Sequence, residues 1–378
     1  MTIIEQGPLR PPSEANSLLM RLFRSCPWNK CTFCHAYGDE KFEIRPIEDI
    51  IQEIANIKAI EKDALEITKG EELSKLSPLG WNKVQGYIVS KYGYQGASML
   101  AWLSFKDKNV FLQDADGLIG KTDYLLEVLD MINSNFKVNR ITTYGRARSI
   151  LHKSPEELKQ LYEAGLNRIH MGLESGSDAV LALSNKGVNS EENIKAAKMI
   201  KDSGMELCIY IILGLGGVRY SDENAIETGK AIGFINPDHV RVHTLAIHDD
   251  MPIYHDFKGG KFEMVSEDQA VRELKMMFLN LDDYNGEIIC THPLNLLTEI
   301  NGNWPEDKER LLGIIDEYLN MSDADRLNFQ LGRRMMVYQR IFDMNYNDRY
   351  QKVDSMIKRI GTVDGVVEIL RELQKGCN

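Results

Sequence analysis

The chain has 378 residues, 43% of them hydrophobic and 27% charged, which is typical of a globular protein with one or two domains. Its formal net charge is −11, so the molecule as a whole repels nucleic acid and anionic membranes. The first twenty residues have no basic start before an apolar core, and no apolar run approaches the roughly 20 residues that cross a bilayer. We therefore expect a cytoplasmic protein that does not act at a membrane, and nucleic acid is not an expected partner.

From residue 16 to residue 250, short β-branched runs alternate with amphipathic stretches of helical period. This alternation predicts an α/β fold with parallel strands joined by helices. The predicted strands are 18–24, 109–113, 140–143, 168–173, 206–213 and 239–246. The predicted helices between them are 46–59, 121–134, 154–164, 190–203 and 222–234. Residues 60–108 are too long for one connection and are predicted to be an insertion.

After about residue 250 the alternation fades, and the sequence predicts a mostly helical region. Its predicted helices are 267–281, 305–319, 323–343 and 364–374, with one short apolar run at 287–290. We therefore predict an N-terminal segment (1–15), an α/β core (16–250) and a helical C-terminal region (251–378) of ordinary domain size.

Three of the six cysteines lie within nine residues directly after the first predicted strand. They are Cys26, Cys31 and Cys34, with the spacing C-x4-C-x2-C. Loops at the carboxyl ends of parallel strands are where such folds place their active sites. Thiolates this close in sequence can surround one iron–sulfur cluster or one metal ion. The clustering indicates ligation in a reducing compartment rather than a disulfide framework.

Three kinds of site fit this spacing. A plant-type [2Fe–2S] cluster needs a fourth cysteine, and the next one, Cys208, lies far away in a predicted strand. A zinc ion with His35 as fourth ligand has suitable ligand types, although the adjacent Cys34 and His35 do not easily reach one tetrahedron. A [4Fe–4S] cluster with three protein ligands leaves one iron for a small molecule. The cysteines alone favour this third kind and leave the other two open.

The cysteine motif resembles the signature of the radical S-adenosylmethionine (SAM) superfamily, usually C-x3-C-x2-C with an aromatic residue before the last cysteine. Phe33 supplies that aromatic residue, and the first spacing is one residue longer than usual. The resemblance extends from about residue 16 to residue 255. Segments 110–117, 168–176 and 213–217 look like those that follow the second, fourth and fifth strands of the family. The layout is most similar to the branch that contains oxygen-independent coproporphyrinogen oxidase.

This resemblance implies a partial (β/α)6 TIM-like barrel of radical SAM type with a mostly helical C-terminal extension. It also implies a [4Fe–4S] cluster on Cys26, Cys31 and Cys34, SAM on the fourth iron, and reduced flavodoxin or ferredoxin as electron donor. The resulting 5′-deoxyadenosyl radical would abstract hydrogen from a substrate. We expect a small-molecule substrate. The alternatives are a radical SAM enzyme that modifies RNA or a peptide, and an iron–sulfur or zinc protein without SAM chemistry.

Seven residues are predicted to bind the cofactor. They are Phe33, Asp116, Tyr144, Arg146, Glu174, Lys186 and Gly214. Phe33 is predicted to pack against adenine, and Lys186 to neutralise the SAM carboxylate. Asp116 is predicted to accept a hydrogen bond from the SAM ammonium group, with helix capping as its alternative. Glu174 is predicted to accept from the ribose hydroxyls or the SAM amine, and Gly214 to allow close approach of the backbone.

Tyr210, Arg241 and His243 alternate with apolar neighbours on the fifth and sixth predicted strands, so their side chains should share one face. We predict that they bind the substrate, with Arg241 recognising a carboxylate. A hydrogen-bonded polar layer inside the fold is the alternative interpretation. His248 and His292 lie in loop-like sequence and receive no predicted role.

Overall fold

A computed structural model of the protein describes residues 3–375. The described chain divides into two compact units. The first unit contains residues 3–29, 36–171 and 199–206, and the second contains residues 30–35, 172–198 and 207–375. The chain passes from the first unit to the second within the cysteine loop, so Cys26 belongs to the first unit and Cys31 and Cys34 belong to the second.

The first unit is built on parallel strands. Its strands are β1 (Leu18–Arg21), β2 (Phe23–Arg24), β3 (Glu43–Ile44), β4 (Asn109–Gln113), β5 (Arg140–Gly145) and β6 (Leu166–Glu174), of which residues 172–174 belong to the second unit. Its helices are α1 (Ile47–Thr68), α2 (Pro78–Ser104), α3 (Thr122–Asn135), α4 (Ala147–Leu151) and α5 (Pro155–Glu163). Strands β1, β4, β5 and β6 are parallel neighbours in that order, and β2 pairs with β3 in antiparallel fashion.

The second unit also contains parallel strands. Its helices are α6 (Asp178–Leu183), α7 (Ser190–Asp202), α8 (Ser221–Ile235), α9 (Ile253–Lys258), α10 (Glu267–Leu279), α11 (Lys308–Leu319), α12 (Asp323–Arg334), α13 (Asn347–Ile360) and α14 (Val363–Lys375). Its strands are β7 (Glu206–Leu213), β8 (His239–Thr244), β9 (Gly286–Ile289) and β10 (Asn301–Trp304). Residues 199–202 of α7 and residue 206 of β7 belong to the first unit. Strands β7, β8 and β9 are parallel, and β10 runs antiparallel to β9.

Local sequence signals explain several of these elements. Helix α5 begins with a capping box, in which Ser154 Oγ accepts from the Glu157 N–H at 3.1 Å and Glu157 accepts from the Ser154 N–H at 2.8 Å. Pro155 occupies the first turn, where its missing N–H costs nothing. Strands β4 and β7 have the predicted bounds, and each is built around a buried apolar run, 110–112 in β4 and 207–211 in β7. These strands and helices confirm the predicted α/β class.

The C-terminal region departs from the prediction in several places, and the short helix α9 is one unpredicted element. Helix α12 ends at Arg334 rather than at residue 343, because the chain turns through Met336, which has a φ of 57°. Helix α11 begins at Lys308, three residues after the predicted start at Pro305. Strand β10 and helix α13 were not predicted, since β10 is largely polar and α13 buries only Val353. None of the described helices is long and apolar enough to span a lipid bilayer.

Candidate cofactor and substrate site

The cysteine loop, residues 26–34, has no regular secondary structure and follows β2. Cys26, Cys31 and Cys34 are half-buried and form no disulfide. The loop bends at Asn29, which has a φ of 44° and whose side-chain amide donates to the Gly38 carbonyl at 2.8 Å. Among residues 3–375, no three histidine, cysteine or acidic side chains are grouped as ligands of a single metal ion. Three cysteine sulfurs in one short loop are the donor type that iron–sulfur clusters require.

Main-chain hydrogen bonds hold the second half of this loop in place. The Thr32 N–H donates to the Ser184 carbonyl at 2.9 Å, and the Thr32 carbonyl accepts from the Ile253 N–H at 2.9 Å. The Asn185 side-chain amide donates to the Lys30 carbonyl at 3.0 Å. The main chain between Cys31 and Cys34 is therefore fixed by the segment after α6 and by the start of α9.

Phe33 packs on an apolar cluster of the second unit. The buried members of that cluster are Leu245, Ile247, Met251, Ile253 and Phe262. The Lys186 Nζ lies 6.0 Å from the centre of the Phe33 ring, within the range of a cation–π contact. The aromatic residue of the signature thus anchors the loop and also contacts a predicted cofactor residue.

Glu174 and Lys186 form a buried ion pair. Their Oε1 and Nζ atoms are 2.6 Å apart, and the two residues are 9% and 7% exposed. Glu174 ends β6 with a φ of 63°, which turns the chain sharply at this point. A Cβ atom at Gly172 would lie 2.1 Å from Glu174 Oε1 and 2.8 Å from Lys186 Nζ. Only glycine therefore leaves room for the pair, and two predicted cofactor residues meet in one place.

The turn after β7 is held by a buried carboxylate from α10. Gly214 has a φ of 76°, and a Cβ atom there would lie 2.6 Å from Val265. Its N–H donates to Glu273 Oε1 at 2.9 Å. Glu273 also accepts from Ser221 Oγ at 2.7 Å and from Asn224 Nδ2 at 2.5 Å. Burial raises the pKa of Glu273 to about 7, because removing the carboxylate from water outweighs the hydrogen bonds from its three donors, which lower the pKa.

The same hydrogen-bond network reaches the turn after β6. Asn224 Oδ1 accepts from Ser175 Oγ at 2.5 Å, and Thr228 Oγ1 accepts from the Gly176 N–H at 2.9 Å. Helix α8 therefore ties together the turns that follow β6 and β7, and Glu273 connects both to α10. The sequence reasoning missed Glu273, although an acidic residue among the buried apolar positions of α10 was a usable signal.

Asp116, in the first unit, directs both carboxylate oxygens to nearby protein donors. It is 1% exposed and accepts from Ser149 Oγ at 2.5 Å and from the Arg146 N–H at 3.3 Å. Burial raises its pKa to about 6. The neighbouring Asp114 binds Arg21 Nε at 2.7 Å instead. The two carboxylates therefore serve different parts of the unit, and Asp116 stabilises the start of α4.

Tyr144 and Arg146 follow each other closely at the end of β5. The Tyr144 ring packs edge-on against Phe111 and His170, with ring centres 5.2 and 5.8 Å away. The Arg146 guanidinium carbon lies 5.6 Å from the centre of the Trp28 ring, which is part of the cysteine loop. Arg146 therefore links the strand end to the loop within the first unit.

The predicted substrate residues lie together in the second unit. Tyr210 is the register partner of Arg241, and the Tyr210 and His243 rings are 5.3 Å apart. The His243 ring stacks on His292 at 4.1 Å. Burial, with the nearby His292 and Arg241, lowers the pKa of His243 to about 3. His292 had no predicted role, because a single histidine in loop sequence carries no local signal.

Comparison with known proteins decides the family. Residues 20–228, more than half of the chain, match the Radical SAM superfamily. The chain belongs to the radical SAM superfamily. Members of this superfamily are enzymes that use a [4Fe–4S] cluster and SAM, so the predicted family, enzyme class and cofactors are confirmed.

Several relatives are similar to this radical SAM protein. A tRNA uridine(34) acetyltransferase of Methanocaldococcus infernus is 27% identical over 125 residues, which are 31% of this chain and 22% of the relative. The uncharacterised protein YtqA of Bacillus subtilis is 22% identical over 164 residues, 43% of this chain and 50% of the relative. The chain thus spans half or less of these two curated relatives.

A solved structure related to this radical SAM protein is coproporphyrinogen III oxidase of Escherichia coli. It has 16% sequence identity and a TM-score of 0.44, and the match covers 70% of this chain and 52% of the oxidase.

Proposed function

We propose that this protein cleaves SAM reductively at a [4Fe–4S] cluster bound by the thiolates of Cys26, Cys31 and Cys34. When bound, the cluster supplies the electron that cleaves the sulfonium and yields the 5′-deoxyadenosyl radical, which abstracts a hydrogen atom from the substrate. The observation that supports this proposal is the set of three cysteines, none of them in a disulfide, in one anchored loop of a radical SAM chain. Flavodoxin or ferredoxin is the proposed electron donor.

Residues of the second unit are proposed to bind SAM. Lys186 pairs with the SAM carboxylate, and Glu174 accepts from the ribose hydroxyls or the SAM amine. The 2.6 Å contact between the two side chains places an acidic and a basic group side by side in one buried position, which supports a shared role in binding the charged end of SAM. Phe33, beside Lys186, packs against adenine. Gly214 allows the backbone to approach the ligand closely.

Residues of the first unit have proposed roles at the edge of the cofactor. Tyr144 and Arg146 line that edge, and the contact of Arg146 with Trp28 supports its connection to the cysteine loop. The hydrogen bonds that Asp116 accepts from the Arg146 N–H and Ser149 favour a structural role at the start of α4 over direct contact with the SAM ammonium group. Asp116 therefore acts by positioning the chain around Arg146.

The proposed substrate is a small molecule that binds at Tyr210, Arg241 and His243. The net charge of −11 supports this choice, because an acidic protein repels polyanions. A second candidate function is the modification of RNA, which the similarity to tRNA uridine(34) acetyltransferases favours. The expectation that nucleic acid is not a partner therefore becomes a question for experiment.

Anaerobic reconstitution tests the cofactor proposal. We expect about four irons per chain and formation of 5′-deoxyadenosine when the protein is reduced with SAM present. The Cys31→Ala variant should lose both. The Cys290→Ala variant is the matched control, since its thiol is buried in the second unit and outside the cysteine loop. Full iron content and full SAM cleavage in Cys31→Ala would refute the proposal.

A binding experiment and a labelling experiment test the substrate class. The reconstituted protein is titrated with tRNA at several salt concentrations, and a tight, salt-sensitive complex would replace the small-molecule proposal with the RNA proposal. In parallel, the protein is incubated with a deuterated extract of small molecules. Deuterium that appears in 5′-deoxyadenosine would identify a small-molecule substrate directly.

A further inference from the structure

Polar side chains of β7, β8 and the loop after β9 meet on one face of the second unit. Tyr210 and Arg241 are register partners, and the ring contacts extend from Tyr210 through His243 to His292. We call these four residues the Arg241 cluster. Arg241 and His243 are half-buried, so the cluster is partly shielded from water and still open to a ligand.

Arg241 carries a positive charge that the described protein does not neutralise. Its Nε is buried without a hydrogen-bond partner, and within residues 3–375 its side chain forms no ion pair. The register partners on the two neighbouring strands are Tyr210 and Ile289, neither of which is acidic. A carboxylate on the same face, Glu287, pairs with the His239 ring at 2.9 Å. A buried guanidinium donor without an acceptor costs free energy that a bound anion would recover.

The two histidines add neutral hydrogen-bonding groups to this charge. His292 Nδ1 accepts from the Leu294 N–H at 3.3 Å, so the proton of the neutral ring lies on Nε2. The His243 ring is stacked on it and is also neutral near pH 7, since its pKa is lowered to about 3. Arg241 is therefore the cationic member of the cluster, and the other three members carry polar atoms without a competing charge.

We propose that the Arg241 cluster binds an anionic group of the substrate, either a carboxylate or a phosphate. A guanidinium binds both groups with paired, charge-assisted hydrogen bonds, and the neutral phenol and imidazoles complete the site. This inference rests on the proposed function and narrows its substrate class to anionic small molecules. It also assigns a binding role to His292.

The test uses the full chain labelled with 13C-histidine and two probes, acetate and inorganic phosphate, at constant ionic strength near pH 7. The ring signals of His243 and His292 are assigned with His243→Gln and His292→Gln. We expect a saturable shift of both signals with at least one probe. Arg241→Gln should weaken that binding by roughly tenfold or more. Arg168→Gln is the matched control, because Arg168 is already paired with Glu206 at 2.6 Å.

The preferred probe identifies the anionic group as a carboxylate or a phosphate. No saturable shift with either probe, or equal affinity in the wild type and Arg241→Gln, would overturn the inference. SAM cleavage by the reconstituted wild type is measured separately. If cleavage fails while anion binding depends on Arg241, the proposed function is wrong and the anion site stands. If cleavage succeeds without anion binding, only the anion site is wrong.

Discussion

Glu273 receives hydrogen bonds from three donors around the turn after β7, and two substitutions separate its role as an acceptor from the effect of its charge. Glu273→Leu removes the acceptor and leaves the Gly214 N–H, Ser221 and Asn224 without their partner. Glu273→Gln keeps a side-chain oxygen for Gly214 and Asn224, and its amide can donate to the Ser221 hydroxyl. We therefore expect the leucine variant to be destabilised and the glutamine variant to fold normally.

The structure sets the size of both effects. Each unsatisfied buried donor costs about 1–3 kcal/mol, so the leucine variant should be less stable by about 3 kcal/mol or more than the glutamine variant, which also lacks the titrating carboxylate. For a folded unit of about 150–250 residues this lowers the melting temperature by roughly 6–12 °C. The pKa of Glu273 rises from 4.5 to about 7 on folding, so the folded state holds this proton more tightly than the unfolded state. The stability that this proton contributes is present below pH 4.5 and is lost as the pH rises through 7. Glu273→Gln lacks that loss and should gain about 2–3 kcal/mol relative to wild type between about pH 5 and pH 8.

Thermal unfolding and SAM binding by calorimetry measure these effects. Glu309→Leu is the control, because Glu309 is exposed on α11. The leucine variant should also bind SAM more weakly than the glutamine variant, since the turn at Gly214 loses its anchor. Equal melting temperatures for Glu273→Leu and Glu273→Gln would refute the reasoning, because they would show that the acceptor contributes nothing to the stability of the turn.

Three further substitutions test the rest of the site. Asp116→Asn should remove a pH dependence of the folding stability, because the folded pKa of about 6 makes wild type lose roughly 3 kcal/mol as the pH rises from 3.8 through 6. Urea unfolding of both proteins at about pH 4 and pH 7 measures this difference. Parallel pH profiles of the two unfolding free energies would contradict the prediction. Lys186→Met should cost about 3–5 kcal/mol of stability and weaken SAM binding, because it leaves Glu174 as an unpaired buried charge. Lys159→Met, on the exposed face of α5, is the control. Identical melting temperatures for the two variants would count against a buried pair. Gly172→Ala should weaken SAM binding measured by calorimetry, since its Cβ would displace the ion pair, and unchanged affinity would separate the pair from the cofactor.

The sequence predicts those parts of the fold in which burial and local signals agree. Strands β4 and β7 were predicted with their observed bounds, because each contains a buried apolar run flanked by polar or turn residues. Helix α12 was predicted nine residues too long. The segment after Arg334 keeps an apolar and basic pattern that is compatible with a helix, but the chain leaves the helix at Met336, where φ is 57° and the Val337 N–H donates to the Gly332 carbonyl at 2.8 Å. Helix α13 was missed although Tyr350, Val353 and Ile357 recur at helical spacing.

In the candidate site, too, the sequence predicts what local spacing determines and misses contacts between residues that are distant in the chain. The three cysteines are visible in the sequence because their ligand chemistry is contained in nine residues. The contact between Glu174 and Lys186 was not predicted, although each residue was singled out, because it depends on the sharp turn at the end of β6. His292 could be assigned to the site only from the structure, in which its ring stacks on His243 of strand β8. Long-range pairs of this kind have no signature in a single sequence.

The predicted boundary between the α/β core and the C-terminal region, at residue 250, was placed where the alternation of strands and helices ends in the sequence. In the folded chain, however, the turn after β7 depends on groups beyond that boundary. Val265 occupies the space next to Gly214, the Glu263 carbonyl accepts from the Val218 N–H at 2.9 Å, and Glu273 receives three hydrogen bonds. A core that ended at residue 250 would expose these donors and open the turn at Gly214. A core that folds by itself therefore has to extend at least through α10, because Glu273 on that helix accepts the hydrogen bonds of Gly214, Ser221 and Asn224.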